Sequence, residues 1–248
     1  MKPLPIVAAA LMLLSAGIGQ AADLKVFCST GMSSVLKDLI PVFERASGHK
    51  VAINYDTSNI VLGRIKAGET TDLIILTSQV IDDLAQQGKV APGSRVDLAR
   101  TGMGVAVRAG APRPDISTVE AFKRLLLSTK SITYTGTGAS GVYFAGLIEK
   151  LGVADAVKAK AKIPPGGHVA DLVAKGEAEL GVQLTSELRG VPGADYVGPL
   201  PAEIQMYTVF SAGQFAGSKE GAVAQALVRF LTTPEAARAY QAAGMEPG

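Results

Sequence analysis

Short apolar runs of strand character alternate with helical patterns along this chain. At four of the junctions the connection is a loop of small and hydroxyl residues: Ser29-Thr30-Gly31-Met32-Ser33, Thr57-Ser58-Asn59, Gly136-Thr137-Gly138-Ala139-Ser140-Gly141 and Pro165-Gly166-Gly167-His168. This alternation restricts the chain to an α/β fold in which parallel strands are covered by the helices that join them. The loops also bear on function. The first turn of a helix leaves backbone N–H groups without intrahelical partners and carries partial positive charge, so loops with hydroxyls and no bulky side chains suit an anion. Ligands of open α/β sheets bind beyond the carboxyl ends of the strands, where these loops fall.

Residues 24–28 and 51–55 read as strands, and 72–76 as a short strand buried on both faces. Residues 32–46 carry Val35, Leu36, Leu39, Ile40 and Phe43 at helical spacing, with Pro41 predicting a kink or a break. Helices over 60–67 and 79–87 stop at Gly68 and Gly88. Further strands are expected at 103–108, 131–134, 180–184 and 204–211. Ser117-Thr118-Val119-Glu120 reads as a capping box opening a helix to Leu127. Helices follow over 142–151 and 170–175, and Thr233-Pro234-Glu235 opens the last one. No tandem repeat or low-complexity linker divides the chain, so two α/β lobes are the economical arrangement.

With 248 residues and 48% hydrophobic content the chain can bury a sizeable core. A net charge of +2, from 24 basic and 22 acidic residues, leaves no field for nucleic acid, and no nucleic-acid partner is expected. Residues 1–22 read as a secretory signal: Lys2 is the positive start, 6–16 is an uncharged, mostly apolar run, and Gly19-Gln20-Ala21 offers small residues for cleavage after Ala21 or Ala22. The expected destination is the periplasm, with a soluble mature protein. Cys28 is the single cysteine, so no intramolecular disulfide forms, and it reads as a small buried hydrophobe at a strand end.

Gly136 to Gly141 matches G-x-G-x-x-G between a strand and a helix, but no acid follows at the end of a second strand to hold a ribose, so no nucleotide cofactor is expected. The two histidines, His49 and His168, are far apart and no metal-ligand spacing occurs, so no metal is expected either. A serine hydrolase lacks its G-x-S-x-G elbow. His168 opens a predicted helix after two glycines and reads either as a solvated loop histidine or as a ligand contact or proton carrier. Arg64 and Lys66 read as surface charges rather than ligand clamps.

Ordered motifs over nearly the whole mature chain resemble the periplasmic molybdate-binding proteins of ABC importers. These are Val26-Phe27 before a small-residue loop, Tyr55-Asp56-Thr57-Ser58-Asn59, Ile65-Lys66-Ala67-Gly68-Glu69-Thr70-Thr71-Asp72-Leu73-Ile74, Ser140-Gly141-Val142-Tyr143, Gly176-Glu177-Ala178-Glu179-Leu180-Gly181-Val182 and Phe230-Leu231 with Pro234-Glu235-Ala236-Ala237. The resemblance implies the type II periplasmic binding fold: two α/β lobes of mixed sheets flanked by helices, joined by crossing strands at 103–108 and 204–210, with the ligand clamped between them. It places one lobe at 22–102 plus 208–248 and the other at 103–207, with hinge closure as the motion.

The resemblance also implies an oxyanion held by neutral hydroxyls and backbone N–H groups. Ser58 falls on a family serine, Ser140 on a backbone contact and Gly166 close to another, whereas the family's first-loop serine is Gly31 here, beside Thr30 and Ser33. Its tyrosine is Leu184 here, flanked by Gln183 and Thr185. The candidate ligand set is Thr30, Gly31, Ser33, Thr57, Ser58, Ser140, Gly141, Gly166, His168 and Gln183. The function so implied is capture of a small anion, an oxyanion or a carboxylate, by a monomer that delivers it to an ABC importer permease. The likeness extends to aconitate isomerase, which would need an acid/base group over a bound tricarboxylate; His168, Asp56 and Tyr143 are candidates among which the sequence does not choose.

Overall fold

The computed structural model describes residues 21–248, so the signal segment expected over 1–22 lies outside the described residues save for its last two positions. Strand β1 (Asp23–Ser29) pairs in parallel with β2 (Lys50–Asp56), in register from Asp23↔Lys50 to Ser29↔Asp56. Between them lie a 3₁₀ turn (Thr30–Met32) and α1 (Ser33–Ser47), which buries the five helically spaced apolar residues from Val35 to Phe43. Helix α1 runs through Pro41 without a break. Pro41 and Lys37 are both exposed, so the carbonyl that loses its donor faces water, and the usual cost of proline in a helix is reduced. Helix α2 (Ser58–Lys66), the wholly buried β3 (Leu73–Thr77) and α3 (Ser78–Gln86) follow. Gly68 at φ +100° and Gly88 at φ +68° terminate the two helices in backbone conformations that a Cβ would strain.

The 13-residue β4 (Val96–Arg108) leads into α4 (Val119–Ser128). Its cap is Thr118, whose Oγ1 accepts from Ala121 N at 3.1 Å, and not Ser117 as the capping-box pattern suggests. The Ser117 N–H is drawn to Asp115 Oδ1 at 2.9 Å, which holds that residue in the preceding turn. Then come β5 (Ile132–Thr133), α5 (Ala139–Lys150), α6 (Ala154–Lys158), β6 (Ala161–Lys162), α7 (Val169–Ala174), β7 (Leu180–Leu184), α8 (Thr185–Leu188) and β8 (Ala194–Pro199). The chain closes with β9 (Tyr207–Gln214), α9 (Gly221–Leu231), α10 (Pro234–Ala242) and β10 (Glu246–Pro247).

The strands run in the order β2-β1-β3-β9-β4-β7-β5-β6, with β8 and β10 also pairing to β4. Pairings are parallel at both ends and antiparallel around β9 and β4, so the sheet is mixed. Strand β4 pairs with β9 up to Gly102 and with β7 from Met103 onward, carrying the chain from one half of the sheet to the other. The return passage lies between β8 and β9. The strand expected to begin at 204 begins at Tyr207, because the Gln205 side chain stands in for the backbone ladder: its Oε1 accepts from Met103 N at 2.8 Å and its Nε2 donates to Met103 O at 3.0 Å. One apolar cluster runs from Leu24, Leu36 and Ile75 through Met103 and Phe210 to Phe122 and Phe144, so both halves share a core.

Candidate functional site

The residues that cap five helical starts meet around one cavity. They are Ser29 before the 3₁₀ turn, Thr57 before α2, Thr77 before α3, Gly138 before α5 and Leu184 before α8. Sheet topology produces this convergence, since β1, β2, β3 and β7 each deliver the chain at the carboxyl end directly into a helical turn. Unpaired first-turn N–H groups and the positive ends of the helices therefore face one another across about 20 Å³ of free space. Among the described residues no Lys or Arg lines it.

Of the ten expected positions, six line this cavity: Thr30, Gly31, Thr57, Ser58, Ser140 and Gln183. Ser58 Oγ accepts from Thr77 N at 3.0 Å, which leaves its own proton free to donate inward. Ser140 is buried in the first turn of α5. Gly31 has no side chain because a Cβ there would overlap the Phe210 ring, and its carbonyl accepts from Ser186 Oγ at 2.9 Å. The Gln183 amide braces the 165–168 loop, taking Val169 N at 2.9 Å and giving to Gly167 O at 2.7 Å.

The other four positions support the wall from behind. A Cβ on Gly141 would overlap the Thr135 carbonyl, so this glycine serves the packing of α5 against the loop that leads into it. A Cβ on Gly166 would come within 3.0 Å of Thr57 Cγ2, which places the fourth loop against the second. His168 Nδ1 lies 3.1 Å from the Glu187 carbonyl, and so must be its donor, while Nε2 lies 3.1 Å from Ser33 Oγ; Ser33 also donates to Thr30 O at 2.7 Å. Together with the 2.9 Å contact between Thr57 Oγ1 and Thr137 Oγ1 and the 2.9 Å bond from Asn59 Nδ2 to Thr137 O, these bonds join residues 30–59 to residues 137–187.

Of the other acid/base candidates, Asp56 accepts from Thr57 N at 2.8 Å and braces the loop, and Tyr143 donates to Ile204 O at 3.1 Å beside the return passage. Arg64 is occupied by Glu69 and Asn54 and stacks 4.4 Å from the centre of the Phe27 ring.

Four lining residues escaped the sequence reading: Thr77, Thr135, Glu187 and Phe210. Thr77 repeats the signal of a hydroxyl after a buried strand. Thr135 carries a buried Oγ1 with no hydrogen-bond partner among the described residues. Glu187 is buried with 5% exposure and makes no ion pair among the described residues. Loss of water pushes its carboxyl up to about 8, against a smaller opposing effect of a backbone hydrogen bond from Leu184. In sequence it looks like an ordinary acid in a first helical turn.

Residues 24–246 match the model of a family described as bacterial extracellular solute-binding protein. The chain belongs to this family. It is 36% identical over 230 residues to the aconitate isomerase of Pseudomonas sp., covering 90% of this chain and 87% of that protein. It is 28% identical over 245 residues to the molybdate-binding protein of Azotobacter vinelandii, covering 93% and 92% of the two chains. The solved periplasmic molybdate-binding protein of Azotobacter vinelandii superposes with a TM-score of 0.76 at 22% identity, over 90% of this chain and 98% of that one. The fold is the two-lobed mixed α/β fold of periplasmic binding proteins, with helices flanking the sheet. The solved substrate-binding domain of a putative molybdenum ABC transporter from Clostridium difficile has the same fold, with a TM-score of 0.66 at 17% identity over 91% of this chain and 99% of that one. No helix of the described residues is long and apolar enough to cross a membrane.

Proposed function

We propose that this protein captures a small anion, an oxyanion or a carboxylate, in the periplasm and presents it as a monomer to an ABC importer permease. The observation that carries this reading is the meeting of five helical starts around a cavity with no cationic side chain. The starts of the three longer helices, α2, α3 and α5, each favour an anion by about 0.3–1 kcal/mol, and hydroxyl and amide donors fix its orientation. Thr57 and Ser58 approach from one side, in residues 22–102, and Thr135 and Ser140 from the other, in residues 103–207, so the ligand would be clamped between two lobes that close about the passages near Gly102 and Gln205. The test is a thermal-shift series with molybdate, tungstate, sulfate and small carboxylates, where saturation near 100 times Kd stabilises by about 2.7 kcal/mol. Failure of all of them to raise the melting temperature would refute the reading.

A second reading, isomerisation of aconitate on the same scaffold, is favoured by the 36% identical relative and by one feature of the cavity, the buried Glu187 carboxyl. A base that removes a proton from the methylene carbon of the bound tricarboxylate and returns it to the far end of the allylic system moves the double bond with no cofactor and no change of oxidation state. In this reading the ionised form of Glu187 would take that proton and, once neutral, return it. Incubation of the purified protein with cis-aconitate, followed by proton NMR, tests it; an unchanged isomer ratio after long incubation rules it out.

A further inference from the structure

The cavity that gathers helix starts and hydroxyls also gathers one acid. Glu187 lines it together with Ser58, Thr135 and Ser140, is buried, and among the described residues has no Lys, Arg or His side chain bonded to its carboxyl. We propose, resting on the anion-capture reading, that Glu187 meets the ligand as a neutral carboxylic acid and donates a hydrogen bond to it, so that the anion is taken up together with a proton. An ionised carboxylate would place a second negative charge beside the ligand in a space that water barely enters, with no cation to offset it. A neutral acid turns the same group into a donor, matching the hydroxyl and amide donors on the other walls.

The groups around α8 support this assignment. Strand β7 and the Thr30–Met32 turn hold no titratable side chain. Helix α1 offers Lys37, Asp38, Glu44 and Arg45, of which Lys37 and Asp38 are exposed and Glu44 is turned to Val51 and Lys50. Strand β4 offers Asp97, Arg100 and Arg108; Asp97 pairs with Arg95, Arg100 pairs with Glu246, and Arg108 is exposed. Strand β8 offers Asp195, which receives Gly110 N, and Tyr196, which bonds Thr185 and stacks with Arg189. Helix α7 offers Asp171 and, at its start, His168, whose ring bonds the backbone carbonyl of Glu187 and the hydroxyl of Ser33. Desolvation, which holds the carboxyl up to about 8, is the expected companion of this isolation.

The experiment is isothermal titration calorimetry of the full chain with molybdate, sulfate, cis-aconitate and trans-aconitate, from about pH 7.5 to 9.5 in buffer pairs of different ionisation enthalpy. Proton uptake should approach one per ligand at the upper end. The dissociation constant should rise about tenfold per pH unit above about 8. Glu187→Gln, a neutral mimic of the acid, should bind with no proton uptake and a flat pH profile, whereas His168→Gln should keep the slope. Equal slopes in the wild type and Glu187→Gln would overturn the coupling while leaving capture intact. So would a Glu187 carboxyl ¹³C resonance that titrates in the ordinary carboxylate range. Absence of binding by every probe would refute the capture reading, and the coupling with it.

Discussion

Replacing Glu187 by Gln should change how stability depends on pH, with a sign set by the direction of the shift. The folded-state carboxyl is raised from 4.5 to about 8. Between those values the folded protein keeps a proton that the unfolded chain has released. Stability therefore falls as pH rises through that window, and the penalty is complete above about pH 8. A rise from 4.5 to about 8 amounts to about 4–5 kcal/mol, an upper figure because water and local rearrangement relax a buried charge. The Gln variant carries no such penalty. Urea unfolding of both proteins at pH 5, 7 and 9 should show the wild type losing stability relative to the variant at each step, so that the variant is the more stable protein at pH 9. Parallel stability curves, or a wild type that gains on the variant as pH rises, would refute the claim that an unpaired acid is buried here. An acid that costs stability at neutral pH and sits in the ligand cavity is what a functional residue is expected to look like.

Three further outcomes follow from the geometry. Gly31→Ser should destabilise by about 1–3 kcal/mol through overlap with the Phe210 ring, and Phe210→Ala in the same chain should recover part of it, giving a coupling above about 0.5 kcal/mol in a double-mutant cycle; simple additivity of the two would contradict the contact. Ser58→Ala should cost about 1–3 kcal/mol in chemical denaturation, since it strips Thr77 N of its buried acceptor, and should also weaken anion binding; retention of both properties would misplace the cavity. Thr135→Val removes a hydroxyl that has no partner, so the free protein should be as stable or more so while anion affinity falls, and unchanged affinity in a calorimetric titration would show that Thr135 Oγ1 does not reach the ligand.

Some of the fold was legible because single residues forced it. Gly68 and Gly88 occupy left-handed backbone positions that only glycine takes without strain, so helix ends could be read to within a residue. Thr233 before Pro234 caps the last helix as its sequence implies, accepting from Ala236 N at 3.3 Å. Other features depend on partners far along the chain. Ser117 loses the capping position because Asp115 holds its N–H, and the last long strand starts three residues late because Gln205 has taken over the pairing with Met103. The loops were visible as strand-to-helix junctions, yet Glu187 and Thr135 were not. Nothing in the local pattern Thr185-Ser186-Glu187-Leu188 distinguishes an exposed first-turn acid from one buried against the opposite half of the sheet, since that burial is created by Gly31 and Ser186 meeting across 155 positions of sequence.

Gly31 and Leu184, where the resemblance to molybdate-binding proteins implies a serine and a tyrosine, acquire a common physical sense in the cavity. Both stand on its wall, and Phe210 fills the space that a side chain at position 31 would need. Leu184 and Phe210 thus give the cavity apolar surface, while Thr57, Ser58 and Ser140 supply its donors. A bare tetrahedral oxyanion presents oxygen in every direction and gains nothing from apolar contact, whereas a carboxylate on a short carbon skeleton can turn its oxygens to the helix starts and its carbons to Leu184 and Phe210. Affinity for small organic carboxylates, aconitate among them, should therefore exceed affinity for sulfate and molybdate at equal charge screening. Leu184→Tyr should narrow the gap, by adding a hydroxyl donor to the wall. Tighter binding of sulfate or molybdate than of every carboxylate would show that the apolar wall does not face the ligand.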